Sequence, residues 1–319
     1  MHLVPKALSL REHETGNAKT CFGRFLPAKA QVQKSGKKMK ANLTAATIPM
    51  LFLVGILGLA FSTIPVQAVD VYTITVNADD GTNPLHVDIQ WQNATSSGTG
   101  TTAFELTGQT GDVMLEAPPT HIEGSTFYIF SSWSYDETTS QDRTITISSA
   151  MTATAHYTVA LTVDKALTEC YTILDTGEHL ACNSSEVPTA TVVYFTMRIT
   201  LHAYTPVTAA TVKDGIGADL VLDRHVQSSG DVATGKAGKG KMGATKATWT
   251  IGDPEVSADY TLDLYVHTGL NPKQKQEYTS TGMHYLNSGP EVYFVYEEIQ
   301  YEVQGPSIAV NVVAPPELQ

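Results

Sequence analysis

The sequence predicts an all-β protein of two tandem sandwiches behind an N-terminal leader, on three observations. After Ala68 the residue usage is that of strands, dominated by Thr, Val, Ile and Tyr. Short runs alternate apolar and polar residues and are closed by Gly, Asn, Asp and Pro. No amphipathic stretch keeps the 3.6-residue spacing of a helix.

The leader comes first. Lys40 precedes the apolar run Leu43–Phe61, which exits through Pro65-Val66-Gln67-Ala68. A basic flank, an uncharged core and a small-residue exit make a secretory signal peptide, with cleavage expected after Ala68. An uncleaved anchor is the alternative, because about 20 apolar residues span a bilayer. In either case the basic flank stays inside and the bulk of the chain faces outward. Residues 1–38 are basic and lack hydrophobic periodicity. Met39 is the expected translation start, with 1–38 a mis-assigned or disordered extension and 39–68 the signal peptide or anchor.

Charge narrows the partners. The leader holds 9 of the 20 Lys and Arg and 2 of the 32 Asp and Glu, which leaves 11 basic against 30 acidic residues, a net charge of −19. Nucleic acid is excluded as a partner, since binding it rests on neutralising phosphates with Lys and Arg. The acidic surface favours solubility.

Residues 69–159 read as the first sandwich. Val71–Val76 places Tyr72, Ile74 and Val76 on one face. Asp79-Asp80-Gly81 turns the chain, and Leu85–Trp91 repeats the alternation, so the two runs are expected to pair as a hairpin. Thr102–Leu106 and Asp112–Leu115 flank a Gly-containing turn, and Pro118-Pro119 interrupts pairing. Phe127–Trp133, Arg143–Ile147 and Met151–Tyr157 complete the set. The segment resembles the immunoglobulin-like repeat modules of archaeal and bacterial surface proteins. Tyr72–Val76, Ser131-Ser132-Trp133-Ser134, Arg143–Ile147 and Thr154-Ala155-His156-Tyr157 carry the likeness.

Residues 160–313 read as the second sandwich, followed by a tail at 314–319. Thr162–Lys165 leads in, Thr191–Leu201 is expected to be the longest strand, and Val207–Asp214 is expected to pair with it after Pro206. This segment resembles the extracellular repeat family catalogued as domain of unknown function eleven. The residues that carry it are Val163-Asp164-Lys165, Tyr194, Val207, Val212, Asp214-Gly215, Trp249–Gly252, Tyr260–Val266, Glu277–Ser280 and Leu286-Asn287-Ser288-Gly289. His202–Pro206 stands where that family has an Asn-Thr-Gly type of turn. The resemblances imply two tandem immunoglobulin-like β-sandwich domains at the cell surface.

Candidate sites are few. Cys170 and Cys182 remain once the leader is gone, and an even pair in an exported chain reads as a disulfide. Asn93-Ala94-Thr95 and Asn183-Ser184-Ser185 are glycosylation sequons at Asn93 and Asn183. Tyr128 and Phe130 flank Trp133 on an aromatic strand, a candidate glycan-contact face against core packing as the default. Asp79–Asn83 offers oxygen ligands but lacks the terminal Glu of a tight calcium loop, so only weak calcium binding is expected.

Catalytic signals fail on inspection. Gly235 through Gly240-Lys241 imitates a phosphate loop, but Met242 stands where Ser or Thr must ligate magnesium. No HExxH or GxSxG occurs, and Asp136-Glu137 and Glu297-Glu298 read as solvated charge. The expectation is a non-catalytic structural or adhesion protein of the envelope, with no cofactor. Its expected partners are other envelope proteins or copies of itself. The alternative is a secreted carbohydrate-binding module with polysaccharide as partner.

Overall fold

The computed structural model describes residues 69–134, 138–174, 176–189, 192–236, 245–268, 270–271, 274–275 and 281–314. The leader, the Ala68 cleavage point, Asp136-Glu137, Lys239 to Met242 and Glu277–Ser280 lie outside them. The described residues belong to one compact unit, are all-β, and contain no helix.

The first nine strands are β1 (Tyr72–Asp79), β2 (Asp88–Asn93), β3 (Ser97–Thr101), β4 (Phe104–Gln109), β5 (Gly111–Glu116), β6 (Thr120–Glu123), β7 (Thr126–Trp133), β8 (Asp142–Ile147) and β9 (Met151–Ile173). One sheet runs β3-β2-β5-β8. The facing sheet places β1 between β4 and β9, with β7 and then β6 on the other side of β9. Ile74, Val87, Ile89, Leu115, Trp133 and Tyr157 fill the core between them. The rings of Trp91 and Phe104 lie over β3 at Gly98 and Gly100, where any Cβ would meet them.

The expected hairpin of Tyr72–Val76 with Leu85–Trp91 does not form. β1 pairs antiparallel with β4 and parallel with β9, while β2 pairs with β3 and β5 in the opposite sheet. The turn at Asp79–Asn83 carries the chain across the core between sheets. Alternation identified the buried face of each run, and that face could be covered equally well by either sheet.

The remaining strands are β10 (His179–Ala181), β11 (Val187–Pro188), β12 (Val193–Ala203), β13 (Thr208–Ile216), β14 (Leu220–Gln227), β15 (Asp231–Lys236), β16 (Thr245–Gly252), β17 (Asp259–Thr268), β18 (Leu270–Asn271), β19 (Gln274–Lys275), β20 (Gly282–Tyr285), β21 (Glu291–Tyr296), β22 (Ile299–Gln304) and β23 (Ala309–Val313). β9 continues into this half and pairs with β12, followed by β17 and β14. The sheet β15-β16-β13-β21-β22 and the small sheet β11-β23-β20 complete the enclosure. Phe195, Met197, Trp249, Leu264, Leu286 and Phe294 belong to the second core. Val207–Asp214 therefore does not pair with the strand before it, because β13 lies between β16 and β21.

The longest strand is β9, at 23 residues, rather than Thr191–Leu201. Two bulges explain how one strand serves two cores. Opposite β7, Phe127 pairs with Leu161 and Tyr128 with Val159, so Ala160 is an extra residue. Before it the odd residues Ala153, Ala155 and Tyr157 enter the first core, and after it Leu161 and Val163 enter the second. An extra residue reverses which parity faces which side. At Thr168 a second bulge, opposite β12, reverses it again and brings Cys170 inward. The neighbouring β7 shows the same division by simple alternation, with Phe127 in the second core and Tyr128 and Phe130 in the first.

Candidate functional site

The most chemically loaded cluster of the described residues is Lys165, Asp214 and Asn287, all inside the second core. Lys165 sits on β9 opposite Ile199, after the Ala160 bulge has turned odd residues inward. Asp214 is on β13 opposite Ala247, in the facing sheet. Asn287 follows β20 and makes an isolated bridge to Ile216, which brings it beside Asp214.

The Lys165 Nζ donates to Asp214 Oδ2, and the two side chains are 0% and 1% exposed. The other carboxylate oxygen, Oδ1, accepts from Asn287 Nδ2 at 2.9 Å. Asn287 Oδ1 in turn accepts the backbone N–H of Ile308 at 2.8 Å, which fixes the orientation of the amide. One carboxylate thus holds an amine on one oxygen and a carboxamide on the other.

Burial pushes the Lys165 amine below its ordinary range, and the charge and hydrogen bond of Asp214 only partly offset this. Buried ion pairs contribute little net stability compared with apolar packing of the same volume. The arrangement therefore has no obvious origin in stability alone. Its three residues lie within the Val163–Lys165, Val207–Asp214 and Leu286–Gly289 segments singled out in the sequence. What the sequence does not disclose is that they meet.

The remaining candidates fall elsewhere. Cys170 and Cys182 are joined by a disulfide with Cα atoms 5.1 Å apart, tying the end of β9 to the segment after β10. Asn183 is exposed and accepts the Ser185 backbone N–H at 2.9 Å. Asn93 is half-buried, and its Nδ2 donates to Gln109 at 2.7 Å.

Tyr128 and Phe130 require a correction. Each is only 9% exposed and packs in the first core, where the Phe130 ring meets Trp133 and Tyr157. They present no aromatic platform to a glycan. β7 is flanked by a core on each side, so both of its faces are covered.

The Asp79–Asn83 turn spends its carboxylates on itself. Asp80 Oδ1 accepts from the backbone of Asn83 and Thr82 at 2.7 and 2.9 Å. The Asn83 N–H foremost holds the Asp80 carboxyl below its usual range. Asp79 Oδ1 accepts from Gly81 and lies 2.6 Å from the His156 ring. Elsewhere histidines pair singly with acids, as in His202–Asp259 and His267–Asp223. Among the described residues no group of three or more His, Cys, Asp and Glu is placed to hold a metal ion.

No protein-family model matches the chain. An uncharacterized protein of Archaeoglobus fulgidus is 35% identical over 82 residues, which is 26% of this chain and 29% of that protein. The match thus spans under a third of the relative's length. Among solved structures, the full-length major pilin SpaD of Corynebacterium diphtheriae aligns with 75% of this chain and 64% of its own, at 10% identity and a TM-score of 0.42. BcpA, the major pilin subunit of Bacillus cereus, aligns with 76% and 69%, at 9% identity and a TM-score of 0.33. A cohesin module from a Clostridium perfringens family 33 glycoside hydrolase aligns with 48% and 98%, at 9% and 0.30. Likeness at this level carries nothing about activity to the present chain.

Proposed function

We infer that this chain is a non-catalytic, exported component of the cell envelope, structural or adhesive, which works through sandwich surfaces and sheet edges. The observation that carries the reading is β9. It runs unbroken for 23 residues from the first core into the second, laddered to β1 and β7 at one end and β12 at the other. Two cores that share a strand and a sheet resist bending at their junction, as a load-transmitting rod must. The secretory leader, the acidic surface and the Cys170–Cys182 disulfide suit an extracytoplasmic setting.

Exposed side chains on β20 supply the route to a partner. β20 pairs antiparallel with β23, and its Met283 and Tyr285 are 64% and 70% exposed. Exposed apolar side chains two residues apart on one face of a strand give a surface on which a second copy or another envelope protein can pack.

Fractionation of native cells, with mass spectrometry of the N-terminus, tests the reading. Recovery in the envelope or medium with an N-terminus at Val69 is expected. Recovery in the cytosol with Cys170 and Cys182 as free thiols would overturn it.

A further inference from the structure

We propose that Lys165 and Asn287 become joined by an intramolecular amide bond, formed once as the second sandwich closes, with Asp214 moving the protons. The reaction needs a nucleophile, an electrophile, a proton carrier and an acceptor for developing negative charge. The cluster supplies one of each.

Lys165 is the nucleophile. An ammonium has three N–H groups to satisfy, and Asp214 is its hydrogen-bond partner among the described residues. In an apolar core the pair relaxes by passing one proton from Nζ to Oδ2, giving a neutral amine and a neutral carboxylic acid. A neutral amine carries the lone pair that attack requires.

Asn287 is the electrophile. Its carbonyl oxygen already accepts the Ile308 N–H at 2.8 Å, and that donor is aimed where charge collects when the carbonyl carbon is attacked. Its Nδ2 rests on the second oxygen of the same carboxylate at 2.9 Å. Holding amine and amide on one carboxyl group supplies the proximity that makes a sluggish reaction feasible.

The atoms balance without a co-reactant. The Lys165 amine adds to Cγ of Asn287, the Nζ–Cγ bond forms, and the carbonyl electron pair moves onto Oδ1. The neutral Asp214 acid gives up the proton it holds to Nδ2 and takes the second proton from Nζ, so it ends protonated as it began. The Cγ–Nδ2 bond then breaks, its electron pair leaves with nitrogen, and ammonia departs. The products are a secondary amide, a protonated Asp214 and one ammonia, with net charge unchanged and nothing oxidised or reduced. The chain acts once on itself and turns over no external substrate.

The bond would tie β9 in one sheet to the segment between β20 and β21 that bridges β13 in the facing sheet. Most of the second sandwich would lie inside the covalent loop. Tension entering along β9 would then bypass the intervening strands.

The test is mass spectrometry of the purified, disulfide-reduced full chain, intact and after proteolysis. The expected intact mass is one ammonia below that of the sequence from the N-terminus found. Digestion should yield a branched peptide joining the Lys165 and Asn287 segments. Asp214→Asn keeps the shape and removes the proton carrier. It should return both residues to linear peptides, with the near-ultraviolet signal of Trp249 showing that the core has formed. Linear Lys165 and Asn287 peptides from wild-type protein would overturn the proposal. So would a branched peptide that contains Asp214, lighter by one water. Persistence of the branch in Asp214→Asn would overturn the role given to Asp214. None of these readings depends on where the protein resides, so they fail independently of the envelope assignment.

Discussion

Glu123 shows how much one carboxylate can organise at the end of a β-hairpin. Oε2 accepts the His86 backbone N–H at 3.1 Å, while Oε1 lies 2.7 Å from the His86 ring and Oε2 3.5 Å from the His121 ring. Partial burial opposes ionisation, but these contacts outweigh it and hold the carboxyl below its ordinary 4.5. A carboxyl depressed in the folded state binds fewer protons there than when unfolded. Its stabilisation is therefore complete above the ordinary value and disappears as the pH falls through the folded one. Thermal melts across an acid series should show wild type above Glu123→Gln at neutral pH and the two converging in acid. Tyr293 moves the other way, its hydroxyl pushed up to about 12 by desolvation and by Glu291, to which it donates at 3.1 Å. In the second core Asp214→Ala would remove the proton carrier along with the counter-charge, leaving the Lys165 amine buried, unlinked and unpaired. A loss of at least about 3 kcal/mol is expected in denaturant titration, the lower bound being that of a buried pair broken from one side.

At the scale of the element, β9 decides the architecture, and its sequence only half reveals it. Met151–Tyr157 alternates cleanly and is legible as a strand, as is the lead through Val163 to Lys165. Their union is not legible, because the adjoining buried pair Ala160 and Leu161 breaks the period of two. In sequence such a break imitates a strand end. In space it is a bulge, sustained because β7 supplies its own two-faced register, with Phe127 to one core and Tyr128 to the other. Deleting Ala160 would restore strict alternation and turn Leu161, Val163 and Lys165 toward the wrong face. Loss of the near-ultraviolet signal of Trp249 is expected, a far larger effect than deleting one residue from an exposed turn. The same reasoning covers Tyr128 and Phe130. An aromatic strand with rings on both faces reads as half exposed until a second core is found behind it.

The described residues are held by two cores, a disulfide and a few ring contacts across the junction. Phe127 meets Phe294, Tyr296 and Tyr301 at centroid distances of 5.0, 5.7 and 4.7 Å. Phe127→Ala should cost about 3–5 kcal/mol, as for other buried aromatic truncations. Reducing Cys170–Cys182, a closure of 12 residues, should cost about 3 kcal/mol by chain entropy. In calorimetry this corresponds to a fall of about 6–12 °C for a body of this size. On the exposed face of β20, Met283→Lys with Tyr285→Glu should leave the melting temperature unchanged and abolish concentration-dependent assembly in sedimentation velocity. Assembly that survives both changes would rule out this face as the contact.

The amino-acid order alone determined the strand content, the buried face of each run, the pairing of the two cysteines and the sign of the surface charge. These follow from side-chain period and composition, which act over a few neighbouring residues. Tertiary structure decided which strands became neighbours, that β9 is one strand with two allegiances, and that Lys165, Asp214 and Asn287 converge. Those outcomes depend on contacts between residues far apart in the chain. A pattern of period two specifies that a face must be covered and is silent about what covers it.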